Sequence, residues 1–448
     1  MEEKIQSVPG VSSEKDPLEK EESSSVSPNK AEKSNNKSFW IVGIISLIVI
    51  LGIGVLFFST NKSKQSIREV SREHAFTGEI VIGYNADQTT PTTGKFGVSA
   101  RQGVEIAIDE INASGGILGK KLRSVILDDK ADKDLSKKNT EQLIFQDEVL
   151  AIIGPANSLN ALNWIDIAQE NEVPVIVPIA TATEITTKFE DRPRNYIFRG
   201  TSLDKDQASF TIAWLIKKTS NGKIAIIHDS TPYGLKGLKD GSEVLARWGK
   251  TPVVIKSFDS GMPIEKMVAL FESTKKSGAQ GIAFFNYADS QANLLKALDQ
   301  IPDYNPAVIG TAANLAPEFW QLAGPLAEKL PFVAGRGLNM NERTTAFKNK
   351  VIKKYGEEPA VATSAQLGYD TIMFIKAAVE GAGSTDRVAV RDALENIDNV
   401  QGADILYKKP FSKKDHEAIT VNDLFLVHWV NGKIEKYPGG TPEELEIR

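Results

Sequence analysis

From residue 79 onward, short runs rich in β-branched residues alternate with amphipathic stretches, and this alternation restricts the fold more than any other feature of the chain. EIVIGY reads as a strand. FGVSARQGVEIAIDEINASGG reads as a helix with Val104, Ile108 and Ile111 on one face and a glycine stop. KLRSVILDD predicts a second strand, 134–147 a helix, VLAIIG a strand, 158–170 a helix and PVIVP a strand. Around 196–204 the rhythm restarts. It then runs through a helix at 210–218, the strand KIAIIHD, a helix at 237–248, the strand TPVVIKSF, a helix at 264–276, the strand GIAFFN, a helix at 291–299 and the strand PAVIG. Such β-α-β alternation implies α/β architecture: parallel sheets covered by helices on both faces, with right-handed crossovers. Two doubly wound lobes are expected. Open parallel sheets bind ligands beyond the carboxyl ends of their strands, so the residues just after each strand are the ones to weigh.

A different kind of segment precedes this domain. FWIVGIISLIVILGIGVLFF, residues 39–58, carries no charge, and as a helix it would span roughly 30 Å, the hydrocarbon thickness of a bilayer. We read 39–59 as an uncleaved transmembrane anchor. A secretory signal fits less well, because the charged leader and the apolar stretch are too long and no small-x-small cleavage site follows. Lys30, Lys33 and Lys37 lie before the span and Lys62, Lys64, Arg68 and Arg72 after it, so the positive-inside count does not fix the orientation. Residues 1–38 hold six Lys, eight Asp/Glu, nine Ser and no aromatic residue, the composition of a disordered polar tail. A linker is expected over 60–78. The large domain is expected on the extracytoplasmic side of a cell membrane that the chain crosses once.

Absences narrow the chemistry. The 448 residues include no Cys, which removes disulfides, thiolate metal sites, thiol catalysis and a lipid-anchoring cysteine. A formal net charge of −5 gives no electrostatic basis for nucleic-acid binding. No GxSxG, HExxH, Walker A or EF-hand pattern occurs. NASGGILGKK ends a helix where a phosphate loop would begin one, so it reads as a turn. LDDKADKD offers four Asp but lacks the glycine and distal glutamate of a calcium loop, and reads as a solvated strand–helix loop. His228 beside Asp229 is the one pair with catalytic flavour, and a structural strand-end histidine is the better account of it. No catalytic residue, metal or cofactor is expected.

Five stretches, GKFGVSARQGVEIAIDEINASGGILGKKLRSVILDDKADKD, IIGPANS, VPVIVPIATATEIT, KIAIIHDSTPYG and AQLGYDTIMFIKAAVEGAG, occur in this order within 79–437. Together they resemble the type I periplasmic binding proteins, in the subgroup that binds leucine, isoleucine and valine. The resemblance implies two Rossmann-like lobes joined by three crossovers. Lobe 1 would comprise 79–199 plus 336–402, and lobe 2 would comprise 200–335 plus 403–448. The lobes would close on a small carboxylate-bearing solute, such as a hydrophobic amino acid, and present it to the permease of an ABC transporter. The alternative role for such an anchored domain is a ligand-sensing receptor ectodomain; an α/β enzyme using His228 and Asp229 is a remote third.

The resemblance also implies a site. Ser158 matches a carboxylate-binding serine, although taken alone it reads more readily as a plain helix N-cap. The Ile179 carbonyl and the Thr181 hydroxyl and N–H match positions that hold the ligand's amino and carboxyl groups; Thr181 alone reads as a cap for a helix leading toward Thr186. Tyr233, Tyr287 and Phe96 match aromatic positions of the cleft, with Phe96 equally readable as packing at a helix start. The main departure is Ala312, which stands where the family pairs the ligand's ammonium with a glutamate. An enclosed ammonium without a carboxylate partner costs several kcal/mol, much of the ~8 kcal/mol of micromolar binding. Either another acid substitutes or the ligand is not an α-amino acid: Asp229 and Asp289 are the obvious substitutes and Asp87 a weaker one, each reading more readily as a solvated-loop or capping residue, and Arg336 is a candidate partner for a second ligand carboxylate.

Overall fold

The computed structural model describes residues 78–335 and 341–447. The tail 1–38, the apolar segment 39–59, linker residues 60–77 and Arg336 lie outside the described residues. Among the described residues no helix is long and apolar enough to cross a membrane.

Two parallel sheets carry the architecture. The first contains β1 (Glu79–Ala86), β2 (Lys121–Asp128), β3 (Ala151–Ile153), β4 (Val175–Val177) and β5 (Ile197–Arg199) in the order β2-β1-β3-β4-β5. Its crossovers are the helices α1 (Gly94–Ala113), α2 (Lys133–Phe145), α3 (Ser158–Glu170) and the short α4 (Glu184–Thr187). After α5 (Asp204–Lys218) the second sheet is laid down from β6 (Ile224–Asp229), β7 (Val254–Phe258), β8 (Gly281–Phe285) and β9 (Ala307–Ile309), in the order β7-β6-β8-β9. Its helices are α6 (Pro232–Arg247), α7 (Ile264–Lys276), α8 (Ala288–Leu298) and α9 (Pro317–Ala323). β6 is buried at all six positions and pairs on both sides, which is why IAIIHD tolerates no alternation of apolar and polar residues.

The chain returns to the first sheet before ending near the second. β10 (Phe332–Ala334) continues the second sheet through a parallel bridge from Gly310 to Phe332. After α10 (Glu342–Tyr355), α11 (Ala362–Ala382) lies along α1. The two helices approach closely because each presents a glycine: a Cβ on Gly103 would stand 1.8 Å from the Ala365 carbonyl oxygen, and one on Gly368 would stand 2.0 Å from that of Ala100. Next come α12 (Arg387–Leu394) and the hairpin β11 (Asn399–Gln401) and β12 (Leu406–Lys408). The segment that follows pairs Glu417 beside Arg199 of β5, and β13 (Phe425–Val430) then joins β10 and β14 (Lys433–Lys436) in an antiparallel sheet. Trp164 packs in one buried cluster against the first sheet, and Phe271, Phe284 and Phe319 pack in another against the second.

Three helices start earlier than their apolar periodicity predicts. α5 begins at Asp204 instead of 210, α6 at Pro232 instead of 237 and α8 at Ala288 instead of 291. Pro232 is pre-set for a first turn, and Thr231 caps that turn by accepting the Gly234 N–H. Gly237 and Gly241 face the Phe285 ring at distances that leave no room for a Cβ.

Candidate ligand-binding site

Loops and helix starts at the carboxyl ends of both parallel sheets enclose a cavity of about 570 Å³. Phe96, Ser158, Ile179, Thr181, Tyr233 and Tyr287 all line it, together with Ala312. They follow six different strands: Phe96 comes after β1, Ser158 after β3, Ile179 and Thr181 after β4, Tyr233 after β6, Tyr287 after β8 and Ala312 after β9.

Asn157, not Ser158, caps α3, its side chain accepting the Asn160 N–H at 3.0 Å. Ser158 is therefore the first helical residue and faces the cavity. Its Oγ accepts the Ala182 N–H at 3.1 Å, which leaves the hydroxyl proton to donate. That bond ties the start of α3 to the 179–182 wall, so the two hydroxyl-bearing segments hold each other in register. Thr181 is not a cap either. It lies before α4, whose N-cap is Thr183, and its carbonyl accepts the Asp204 N–H at 2.9 Å.

Arg199 holds the same wall from behind. Fully buried, it donates to the carbonyls of Ala180 at 3.0 Å and Ala182 at 2.8 Å and to the Thr186 hydroxyl at 3.0 Å, while its Nε meets Glu417 at 2.8 Å. The backbone oxygens on either side of Thr181 are thereby turned away from the cavity.

Across the cavity, Tyr233 and Tyr287 stack with ring centroids 5.0 Å apart. Tyr233 lies in the first turn of α6, where a polar loop was expected, and Tyr287 is the residue before α8. Burial pushes the Tyr233 phenol far above its ordinary value and the Tyr287 phenol up to about 12, so both remain protonated donors at neutral pH. Phe96 belongs to none of the buried apolar clusters; it is a wall of the cavity and not helix-start packing.

The acidic candidates are not brought to this wall. Asp229 is buried, and one carboxylate oxygen is taken by the backbone N–H of Thr231 at 3.1 Å and by the same residue's hydroxyl. Asp289 is exposed on the first turn of α8, outside the cavity. Asp87 accepts the N–H groups of Thr89 and Thr90 at 3.0 Å each and the Thr93 hydroxyl at 2.6 Å. Within LDDKADKD the expected solvation fails for Asp129, which is fully buried and accepts the Ser136 hydroxyl at 2.9 Å. His228 is buried at the end of β6, its Nδ1 2.8 Å from the Asp229 carbonyl oxygen. Among the described residues no group of three His, Cys, Asp or Glu stands ready for a metal ion.

Other wall residues carried no separate signal in the sequence. Leu159, Leu162, Leu235, Leu315 and Leu367 give the cavity its apolar body, and Thr363 and Ser364 reach it from the start of α11. The motif AQLGYDTIMFIKAAVEGAG covers Leu367, but nothing in it marks a lining role. At the mouth, Lys236 of α6 and Lys239 one turn further pair with Glu184 of α4, and Lys95 of α1 pairs with Glu318 of α9. These contacts join elements of the first sheet to elements of the second.

Two parallel sheets joined by repeated crossings, with a leucine-walled cavity carrying hydroxyls at their carboxyl ends, form a cleft that can hold a small solute. The chain belongs to the periplasmic binding protein family, whose model matches residues 79–433. A Leu/Ile/Val-binding protein homologue of Brucella melitensis is 28% identical over 362 residues, covering 80% of this chain and 93% of that protein. The leucine-, isoleucine-, valine-, threonine- and alanine-binding protein of Pseudomonas aeruginosa is 26% identical over 307 residues, covering 68% of this chain and 80% of that protein. Among solved structures, a type 1 periplasmic binding protein from Bordetella pertussis superimposes with a TM-score of 0.69 at 27% identity, covering 80% of this chain and all of that one. A branched-chain amino acid transporter substrate binding protein from Streptococcus pneumoniae, solved in complex with isoleucine, superimposes at 0.65 and 24% identity, covering 80% of this chain and 98% of that one.

Proposed function

We propose that this protein is a membrane-anchored extracytoplasmic receptor that closes two lobes, 79–199 plus 336–402 and 200–335 plus 403–448, on a small hydrophobic carboxylate and hands it to an ABC permease. The observation that carries this reading is the convergence of Ser158, whose hydroxyl proton is left to donate, and Thr181, tied to it through Ala182, on a cavity otherwise walled largely by aromatic and leucine side chains. The carboxylate of the solute sits on the Ser158 and Thr181 hydroxyls and the first-turn N–H groups of α3, where the helix terminus favours negative charge. Its apolar body lies between Tyr233, Tyr287 and Phe96. Hydrophobic amino acids and related acids form the class to assay, in keeping with the ligands in the names of the relatives. Residues 39–59 supply the anchor, since twenty uncharged residues match a bilayer core.

Thermal-shift measurements on the full chain, with a panel of amino acids, oxo acids, aromatic acids and amides, test the reading. A rise in melting temperature with a subset of carboxylates is expected, and the absence of any response defeats it. Retention in membranes after a carbonate wash, abolished by deleting 39–59, tests the anchor. Genes for a permease and an ATPase beside this one would favour delivery, whereas a kinase or cyclase gene would favour the sensing role.

A further inference from the structure

The cavity wall contains hydroxyls, amides, backbone groups, apolar side chains and one lysine, but among the described residues it contains no carboxylate. The neighbouring acids lie outside this lining, although one oxygen of the buried Asp229 carboxylate has no hydrogen-bond partner. Asp229 and Asp87 accept from their own turns, Glu184 is paired with Lys236 and Lys239, and Glu318 with Lys95. Asp204 is buried outside the lining, where its carboxyl is hydrogen-bonded by the Thr181 side chain, and Asp289 faces solvent. At the carboxyl end of β9, the chain lines the cavity with the small apolar residues Ala312 and Ala313. Lys236, the one cation of the wall, is neutralised by Glu184, so no second ligand carboxylate is called for.

We propose that the solute is a hydrophobic monocarboxylate lacking an α-ammonium group, with branched or aromatic 2-oxo acids foremost. The inference rests on the carboxylate reading above and sharpens it. A zwitterion would bring an ammonium against a lining that offers it carbonyl and hydroxyl oxygens but no carboxylate in direct contact, a severe desolvation loss. A 2-oxo oxygen instead needs donors. Tyr233 and Tyr287 line the cavity and keep their phenol protons, so each hydroxyl has a proton to donate.

Calorimetric titration of the full chain with ligands matched in their apolar body tests this: leucine against 4-methyl-2-oxopentanoate, and phenylalanine against phenylpyruvate and 3-phenylpropanoate. The acids are expected to bind on the order of 100-fold or more tightly than the matched amino acids. Ala312→Glu should reverse the order by restoring an ammonium partner and repelling the free acid. Amino acids binding as tightly as their matched acids overturn the inference, and so does an unchanged preference in a folded Ala312→Glu protein. Ser158→Ala separates the two levels of the argument. If amino acids win but Ser158→Ala still weakens them, the carboxylate reading stands and only this inference falls. If no ligand binds, or Ser158→Ala changes nothing, both fall together.

Discussion

Replacing Glu417 by Gln should weaken folding far more than one neutralised carboxylate at a surface would. Arg199 is fully buried and cannot lose its charge in a protein, so its only full counter-charge in direct contact is Glu417, with Nε 2.8 Å from Oε2. The remaining guanidinium donors are occupied by the carbonyls of Ala180 and Ala182 and the Thr186 hydroxyl, which offer partial charges only. Breaking a buried pair by removing one partner costs about 3–5 kcal/mol, mostly the penalty of the charge left behind. At roughly 2 °C per kcal/mol for a domain of this size, the melting midpoint should fall by about 6–10 °C. Urea unfolding of the full chain, followed by tryptophan fluorescence, should show a lower midpoint with an unchanged slope. The same variant should also lose ligand affinity, because Arg199 holds the carbonyls that frame Thr181. A loss under about 1 kcal/mol would refute the account of Arg199 as a charge held by Glu417.

Other perturbations probe the site and the frame separately. Ser158→Ala removes a hydroxyl donor to an anion and leaves the Ala182 N–H without its acceptor; affinity for the bound acid should drop about 10- to 100-fold, and an unchanged dissociation constant in calorimetry would contradict the role. Gly103→Ala drives a methyl into the Ala365 carbonyl and should destabilise the chain by about 1–3 kcal/mol in urea; a neutral result would mean that α1 and α11 are not packed at this distance. Burial pushes Asp204 and Asp206 up to about 6 and Asp370 up to about 7, so across this range the folded chain keeps protons that the unfolded chain has released. Their contribution to stability is therefore complete below about pH 4 and is lost as pH rises toward 7, at up to about 1.4 kcal/mol per unit for each group. Asp370→Asn should lose less stability between pH 5 and 8 than the parent, and an equal loss would remove Asp370 from this account.

The strands were legible because buried parallel strands demand short continuous apolar runs, and KIAIIHD, PVIVP and GIAFFN each contain one. The helix starts were less so, for reasons with a bearing on function. The first turn of α5 reads DKDQAS, polar by any periodicity count, yet Asp204, Gln207, Ala208 and Ser209 are buried because that turn carries the chain from the first sheet to the second. The first turn of α6 holds Gly234 and Gly237, residues that signal a loop to a sequence reading and that here admit the backbone of Asp229 and the ring of Phe285. Tyr233 looked like a loop residue for the same reason. Helical termini that build a cleft are selected for close approach, and close approach erases the apolar period that reveals helices elsewhere.

The fate of the aspartates follows a rule that the sequence contains in plain form. Asp87 accepts the N–H groups two and three residues on, Asp128 that of Lys130, Asp129 that of Ala131, Asp132 those of Asp134 and Leu135, and Asp229 that of Thr231. An Asp at or just beyond a strand end, followed two residues later by a residue with a free N–H, closes its own turn before any ligand arrives. Five such turns occupy the acids on which a cation-binding reading would depend. The serine and threonine hydroxyls escape the same fate where the residue before them already caps the helix, as Asn157 does for Ser158. A cap displaced by one residue thus converts Ser158 from a structural group into an available donor, and the same local chemistry that silences the carboxylates leaves this cleft suited to an anion.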